Sequence, residues 1–277
     1  MQTPYARALA HVSSLATGPA LDPAARVTLN FHPDRAAAGG VAILTSLHRD
    51  GFYRSQFATG TSNGGLTAYP GGDRWRWESR IFGGVYDAAE PGDRPVYGGL
   101  NFRGRPYGAS PRFGSAHLRL TAEAAVRSTF CYPDSAAEPK DFGTAERMSL
   151  IALALADAGR DALDDYIEAH VHGPVHIERD VEAIVLDPCY RGTEVEVAAE
   201  LLPCKVEWHG GFRLSVEEMA GYPDFRGPEF VALGELIAAD GLLDPRVIGE
   251  AVATGKHDPQ ALKRVWHYLA RFGAPTV

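Results

Sequence analysis

Cysteine is scarce in this chain: Cys131, Cys189 and Cys204 are the three in 277 residues, far apart and odd in number. They form neither a zinc-type Cys-x-x-Cys pair nor a complete disulfide set, and a reducing compartment suits them. Long apolar runs are missing too. No stretch approaches the roughly 20 apolar residues that cross a bilayer, and Met1 to Leu15 carries no signal-type apolar segment. The expectation is a cytoplasmic protein without membrane contact, a signal-independent export route remaining open. A Walker A loop and a Rossmann glycine fingerprint are absent, which counts against phosphoryl transfer. Repeats, low-complexity segments and blocks of like charge are also lacking. The formal net charge of −8 repels phosphate backbones, so a nucleic-acid partner needs a local basic patch. One candidate is Arg74, Trp75, Arg76 and Trp77, with Arg80 beside them.

What is present is concentrated in Tyr166 to Val175. Glu168, His170 and His172 occupy every second position of an expected strand, alternating with Ile167, Ala169 and Val171. Side chains alternate faces in a strand, so one face carries an acid and two imidazoles over about 13 Å while the other is core. As a metal site, His170 and His172 are a fair ligand pair, with His32, Asp34 or Asp187 to complete a shell. As a glycosyl-transfer site, Glu168 accepts a hydrogen bond from a ribose hydroxyl that strengthens as positive charge grows at the anomeric carbon. A third reading is a solvent-facing polar stripe on a half-exposed sheet.

Apolar content of 45% in a chain of this length supports a real core. Residues 3 to 16 read as an amphipathic helix, Val27 to Phe31 as a strand stopped by Pro33, and Val41 to His48 as a helix. A glycine-rich segment from Gly51 through Gly72 into Arg74–Trp77 reads as a structured loop that approaches something closely. Tyr97 to Phe102, Ser115 to Leu120, Arg127 to Phe130 and Val181 to Leu186 read as strands, and so do Glu194 to Val197 and Cys204 to Trp208. Thr144 is expected to cap a helix reaching about residue 160. Beyond Phe212 the signals turn helical: a capping box at Ser215–Glu218, and N-caps Asp244 and Asp258, each followed by proline. The organisation is thus a strand-rich core over 1–212 and a helical extension over 213–277.

Around the acidic row, His32 and Arg35 flank the proline turn that ends the first strand, suited to a ribose hydroxyl or a diphosphate. Thr59, Gly60, Thr61, Ser62 and Asn63 offer backbone N–H groups and hydroxyls to a phosphate or carboxamide. Trp75 and Trp77 offer faces for a nicotinamide, an adenine or a target base. Ser128 and Thr129 offer hydroxyls that buttress Glu168 from a neighbouring strand.

The strings Phe31–Arg35, Gln56–Gly65, Pro111–Ser115 and Glu168–Val175 together resemble a bacterial family described as a domain of unknown function, along nearly the whole chain. More distantly, the order of elements resembles the ADP-ribosyltransferase superfamily: a strand ending in His or Arg, a glycine-bearing loop, a middle strand with Ser or Thr, and a late strand with a glutamate. That resemblance implies an α+β fold of two packed, mostly antiparallel sheets with NAD between them. It implies that His32 or Arg35 holds one end of NAD, that Ser128 and Thr129 support the site, and that Glu168 binds the nicotinamide ribose. His170 and the Thr59–Asn63 loop join the NAD-binding set. The implied reaction cleaves the nicotinamide–ribose bond and passes ADP-ribose to an unnamed acceptor. His170 stands where a Glu-x-Glu pattern has a second carboxylate, so no arginine acceptor is implied. Two alternatives stand beside it: a metal-dependent hydrolase on His170 and His172, and an NAD-binding module without catalysis.

Overall fold

The computed structural model describes residues 3–60 and 67–275. Within them the strands are β1 Val27–Phe31, β2 Phe52–Tyr53, β3 Val96–Leu100, β4 Ala116–Leu120, β5 Ser128–Tyr132 and β6 Asp141–Thr144. They continue as β7 Ile167–Val171, β8 Val175–His176, β9 Val181–Leu186, β10 Lys205–Trp208, β11 Leu214–Ser215 and β12 Leu242–Leu243. Eight form one mixed sheet in the order β10-β9-β4-β1-β3-β7-β5-β6, and β2-β8 and β11-β12 are separate two-stranded ribbons. The expected α+β class holds. The expected pair of packed sheets is replaced by this single large sheet.

The sheet is nearly divided along its middle seam. β1 and β3 pair at Val27–Leu100 and Thr28–Gly99 alone. β1 nevertheless stays paired with β4 as far as Phe31–Ala116, and β3 with β7 as far as Val96–Val171. Beyond Thr28 the two halves therefore part, while a short ladder ties them at one end. Gly98 permits that tie, because a Cβ there would come within 2.6 Å of the Thr28 carbonyl oxygen and of Leu29. A glycine inside a strand marks such a close backbone approach.

One face of the sheet is apolar. Val27, Leu29, Phe31, Leu118, Phe130, Ile167, Ala169 and Val171 lie in the main core cluster with Leu44, Leu47, Leu150, Ala154 and Ala199. Those partners come from helices Ile43–Asp50, Leu150–Ala156 and Glu194–Glu200. Each fully buried Leu, Ile or Phe contributes about 1.5–3 kcal/mol by leaving water. The other face carries Thr28, Asn30, Thr129, Glu168, His170 and His172, and it is buried as well. Over part of it sits a cluster of Ala8, Val12, Ile81, Phe82 and Tyr86. Ala8 and Val12 belong to helix Pro4–Leu15, started by the Thr3 side chain and a proline in its first turn.

Two expected elements away from the cleft differ, for physical reasons. Glu194–Glu200 is a helix with Thr193 as its N-cap. β10 lies parallel to β9, and parallel neighbours need a crossover, which this helix supplies. Thr144 ends a strand rather than capping a helix: it pairs with Thr129, and the next helix starts only at Leu150. Past Phe212 the capping box at Ser215–Glu218 and the Asp244 and Asp258 N-caps are all present. Helix Pro259–Phe272 reaches back to the core, where Trp266 sets its ring edge against His32 at 4.8 Å and donates its indole N–H to the Pro111 carbonyl.

Candidate functional site

Where β1 and β3 part, a cavity of about 250 Å³ opens, lined by His32 and Arg35 from one half and by Tyr97 and Glu168 from the other. Thr59 and Arg74 also line it. Four expected site residues, Glu168, His32, Arg35 and Thr59, are thus brought to one cleft. Gly60 follows Thr59 in the left-handed conformation that ends the short helix Gln56–Thr59. Thr61, Ser62 and Asn63 lie outside the described residues.

Glu168 is held through one oxygen. Its Oε1 accepts from the Ser135 backbone N–H at 3.2 Å and from His170 Nε2 at 3.0 Å, whereas Oε2 has no hydrogen bond among the described residues. Burial by itself raises this carboxyl's pKa. The His170 hydrogen bond and charge, with Arg74 and Ser135, outweigh that and hold it below the ordinary range, so the group is an anion. A fixed anion with a free oxygen at a cleft wall is equipped to accept a hydroxyl hydrogen bond or to stabilise a nearby cation.

Behind Glu168 runs a chain of polar groups. Thr129 Oγ1 lies 3.2 Å from His170 Nδ1 and 2.9 Å from His172 Nε2, and the Tyr86 hydroxyl is 2.8 Å from His172 Nδ1. These contacts link Tyr86, His172, Thr129, His170 and Glu168 in that order and leave no ring nitrogen without a partner, the carboxylate only accepting. Burial, then the charges of His170 and Arg127, lower the His172 pKa to about 3, which keeps that ring neutral. Phe82 closes over both imidazoles with ring centroids 5.2 Å away. The row is therefore no solvent-facing stripe. His172 and His170 orient the carboxylate from behind and do not line the cleft, and His172 spends both nitrogens on Thr129 and Tyr86, so it is no ligand partner for His170.

The serine–threonine pair divides. Cys131 stands opposite Glu168, Thr129 opposite His170 and Ser128 opposite Val171. Thr129 and Cys131 thus share the acidic face, while Ser128 points to the other and donates to the Ala124 carbonyl at 2.7 Å. Ser128 does not buttress Glu168; the period of two in a strand puts it on the wrong side.

The segment read as a loop with a basic patch is partly a helix, Asp73–Ile81. Its turns send the four residues in different directions. Arg74 turns inward, buried, with its guanidinium 4.1 Å from the Tyr97 ring centre and Nε and Nη1 unpartnered. Trp77 packs on the Ile81–Phe82–Tyr86 cluster, Trp75 is half-buried, and Arg76 is exposed and paired with Asp73. They present no common surface to a nucleic acid. Arg74 belongs instead to the cleft, as a buried cation with two unused donors.

At the other wall His32 is kept neutral. Burial first, then the charges of Arg35 and His267, lower its pKa well below the ordinary value. Tyr97, absent from the sequence reading as a site residue, is fixed by its hydroxyl donating to Glu78 Oε1 at 3.2 Å; Glu78 is itself paired with Arg94 at 2.6 Å. Burial pushes the Glu78 carboxyl up to about 7 despite Arg94. The sequence held one signal for Tyr97: the Gly98–Gly99 pair after it, which in a strand announces close approach.

The split mixed sheet and its acidic cleft extend over residues that a single family model matches. That model, described as protein of unknown function (DUF3626), covers residues 26–159 and 156–272, and the chain belongs to this family. No curated protein matches the chain. No helix among the described residues is long and apolar enough to cross a membrane.

Proposed function

We propose that the protein binds NAD in the cleft between β1 and β3, breaks the nicotinamide–ribose bond and passes ADP-ribose to an acceptor. The observation that carries this reading is the state of Glu168: an anion clamped through Oε1, with Oε2 holding no hydrogen bond among the described residues, at the wall of a cavity shared with His32, Tyr97 and Arg74. The distant sequence resemblance to ADP-ribosyltransferases supports it, since the late-strand glutamate and the first-strand histidine of that resemblance line one cleft here.

In the proposed chemistry the cavity takes the nicotinamide–ribose half of NAD. The Tyr97 ring offers a flat face to nicotinamide. Neutral His32 exchanges hydrogen bonds with a ribose hydroxyl, and Arg74 with Arg35 draws the diphosphate. As the bond from C1′ to the pyridinium nitrogen breaks, its electron pair leaves with nicotinamide, which departs neutral. Positive charge then grows on the ribose, and Glu168 stabilises it directly and through the 2′-hydroxyl. The acceptor supplies a lone pair to C1′ and loses a proton. With water as acceptor, the same steps give NAD hydrolysis.

Glu168→Gln keeps size and one acceptor oxygen but removes the charge, so nicotinamide release should fall by about 10²–10³-fold or more while the fold and NAD binding persist. Binding of NAD to the wild-type protein without any nicotinamide release would instead define a module that has the cleft and not the reaction. Labelled NAD with cell lysate reads out the acceptor class.

A further inference from the structure

Cys131 is buried beside Glu168 and has no part in NAD cleavage as proposed above. Among the described residues, Cys131, Glu168 and His170 are a group whose potential ligand atoms all lie within 4.8 Å of one another. We propose that these three side chains bind a zinc-class divalent ion, and that the ion and NAD compete for Glu168. The competition rests on the function proposed above; the metal site itself does not.

The triangle of donor atoms has the right dimensions. His170 Nε2 is 3.0 Å from Glu168 Oε1, and Cys131 Sγ is 3.7 Å from that oxygen and 3.8 Å from His170 Nε2. A tetrahedral zinc with bonds of about 2.3 Å to sulfur and about 2.0–2.1 Å to nitrogen and oxygen sets its ligands roughly 3.3–3.6 Å apart. Adjustments of about 0.4 Å or less convert one arrangement into the other. The three ligands sit on paired strands, with Cys131 directly across from Glu168, so the backbone holds them in register.

The surroundings also suit an ion. With Nε2 on the metal, the His170 ring proton moves to Nδ1 and donates to Thr129 Oγ1. Thr129 then donates to His172 Nε2, and His172 Nδ1–H to the Tyr86 oxygen. The same distances serve the chain in either direction. Such an outer shell fixes the tautomer of a metal-bound imidazole. Three protein ligands leave a fourth position to an exchangeable one, and Glu168, alone of the three, lines the cavity from which it would be supplied. A thiolate with an imidazole favours zinc or cobalt over magnesium or calcium. Once Oε1 ligates the ion, the carboxylate's negative charge is spent on the metal, and Oε2 no longer stabilises a ribose cation effectively.

Metal-stripped full-length protein titrated with Co²⁺ tests this. One ion per chain is expected, giving intense visible bands of tetrahedral Co²⁺ and a near-ultraviolet thiolate-to-cobalt band. Zn²⁺ should erase both, and excess Mg²⁺ neither. Cys131→Ser should lose the thiolate band, and Cys131→Ala should confirm the loss if serine still ligates. A weak octahedral spectrum, or a thiolate band that survives both substitutions, overturns the site. In parallel, Zn²⁺ should abolish nicotinamide release in proportion to the sites filled, and whatever release Cys131→Ser shows should be insensitive to Zn²⁺. Full release with the cobalt site filled overturns the competition. A normal cobalt spectrum with no nicotinamide release under any condition leaves the metal site standing and removes the NAD reading.

Discussion

Along β7 and the residue that follows it, Ile167, Ala169 and Val171 point to one face of the sheet and Glu168, His170 and His172 to the other, and all six are between 0% and 6% exposed. Both faces are buried, yet they are held by different forces. The apolar face is stabilised by removing hydrocarbon from water, a term indifferent to direction. The polar face gains little from burial and is tolerable only because each group meets a partner: Glu168 with Ser135 and His170, Thr129 with both imidazoles, His172 with Tyr86. Burial alone therefore does not mark a core. Substitutions on the first face should move stability and spare chemistry, and substitutions on the second should move both.

The largest stability effect belongs to the apolar face. Leu118→Ala, in the centre of β4 and fully buried, should cost about 2–5 kcal/mol in urea unfolding with nicotinamide release per folded molecule unchanged. Next comes Thr129→Val, which keeps the shape and removes the hydroxyl shared by His170 and His172, at a cost of about 1–3 kcal/mol. This variant should also slow nicotinamide release, because His170 no longer has a fixed orientation toward Glu168, and Thr129→Ser should restore it. A Thr129→Val protein as active and as stable as wild type would mean that the polar chain is idle.

The third effect is a slope with pH. Burial is the leading cause that lowers His117 to about 3 and His267 to about 2, against an ordinary value near 6.5. Folding keeps both rings neutral while the unfolded chain protonates them. Their contribution is complete above about pH 6.5 and is lost as pH falls from there toward 3, at up to about 1.4 kcal/mol per pH unit for each ring. Urea midpoints at pH 7.0, 6.0 and 5.0 should decline in step; a flat series would show that these rings are hydrated in the folded state.

The sequence made the strands with strict alternation readable, since β1 and β9 span the expected residues and Glu168 and His170 fall on β7 as the period of two requires, with His172 just past its end. N-caps past Phe212 were readable for the same local reason: Ser215, Asp244 and Asp258 act on backbone two or three residues ahead. What could not be read depends on pairing between distant strands. Ser128 and Thr129 look equivalent until the register with β7 sends them to opposite faces, and Cys131 becomes a neighbour of Glu168 only through that same register. Glu194–Glu200 alternates Glu and Val like a strand, and only the parallel pairing of its flanking strands demands a crossover helix. Arg74 passed for surface charge, because a helix turn, which the neighbouring glycines masked, aims it inward.

The decisive comparison sets wild type against Glu168→Gln with two readouts on the same samples, NAD binding by calorimetry and nicotinamide release by chromatography. A carboxylate that acts on the breaking glycosidic bond predicts NAD bound by both proteins, release by wild type, and release from the variant reduced by about 10²–10³-fold or more at an unchanged urea midpoint. Equal release from the two proteins, or no NAD bound by wild type, would contradict it.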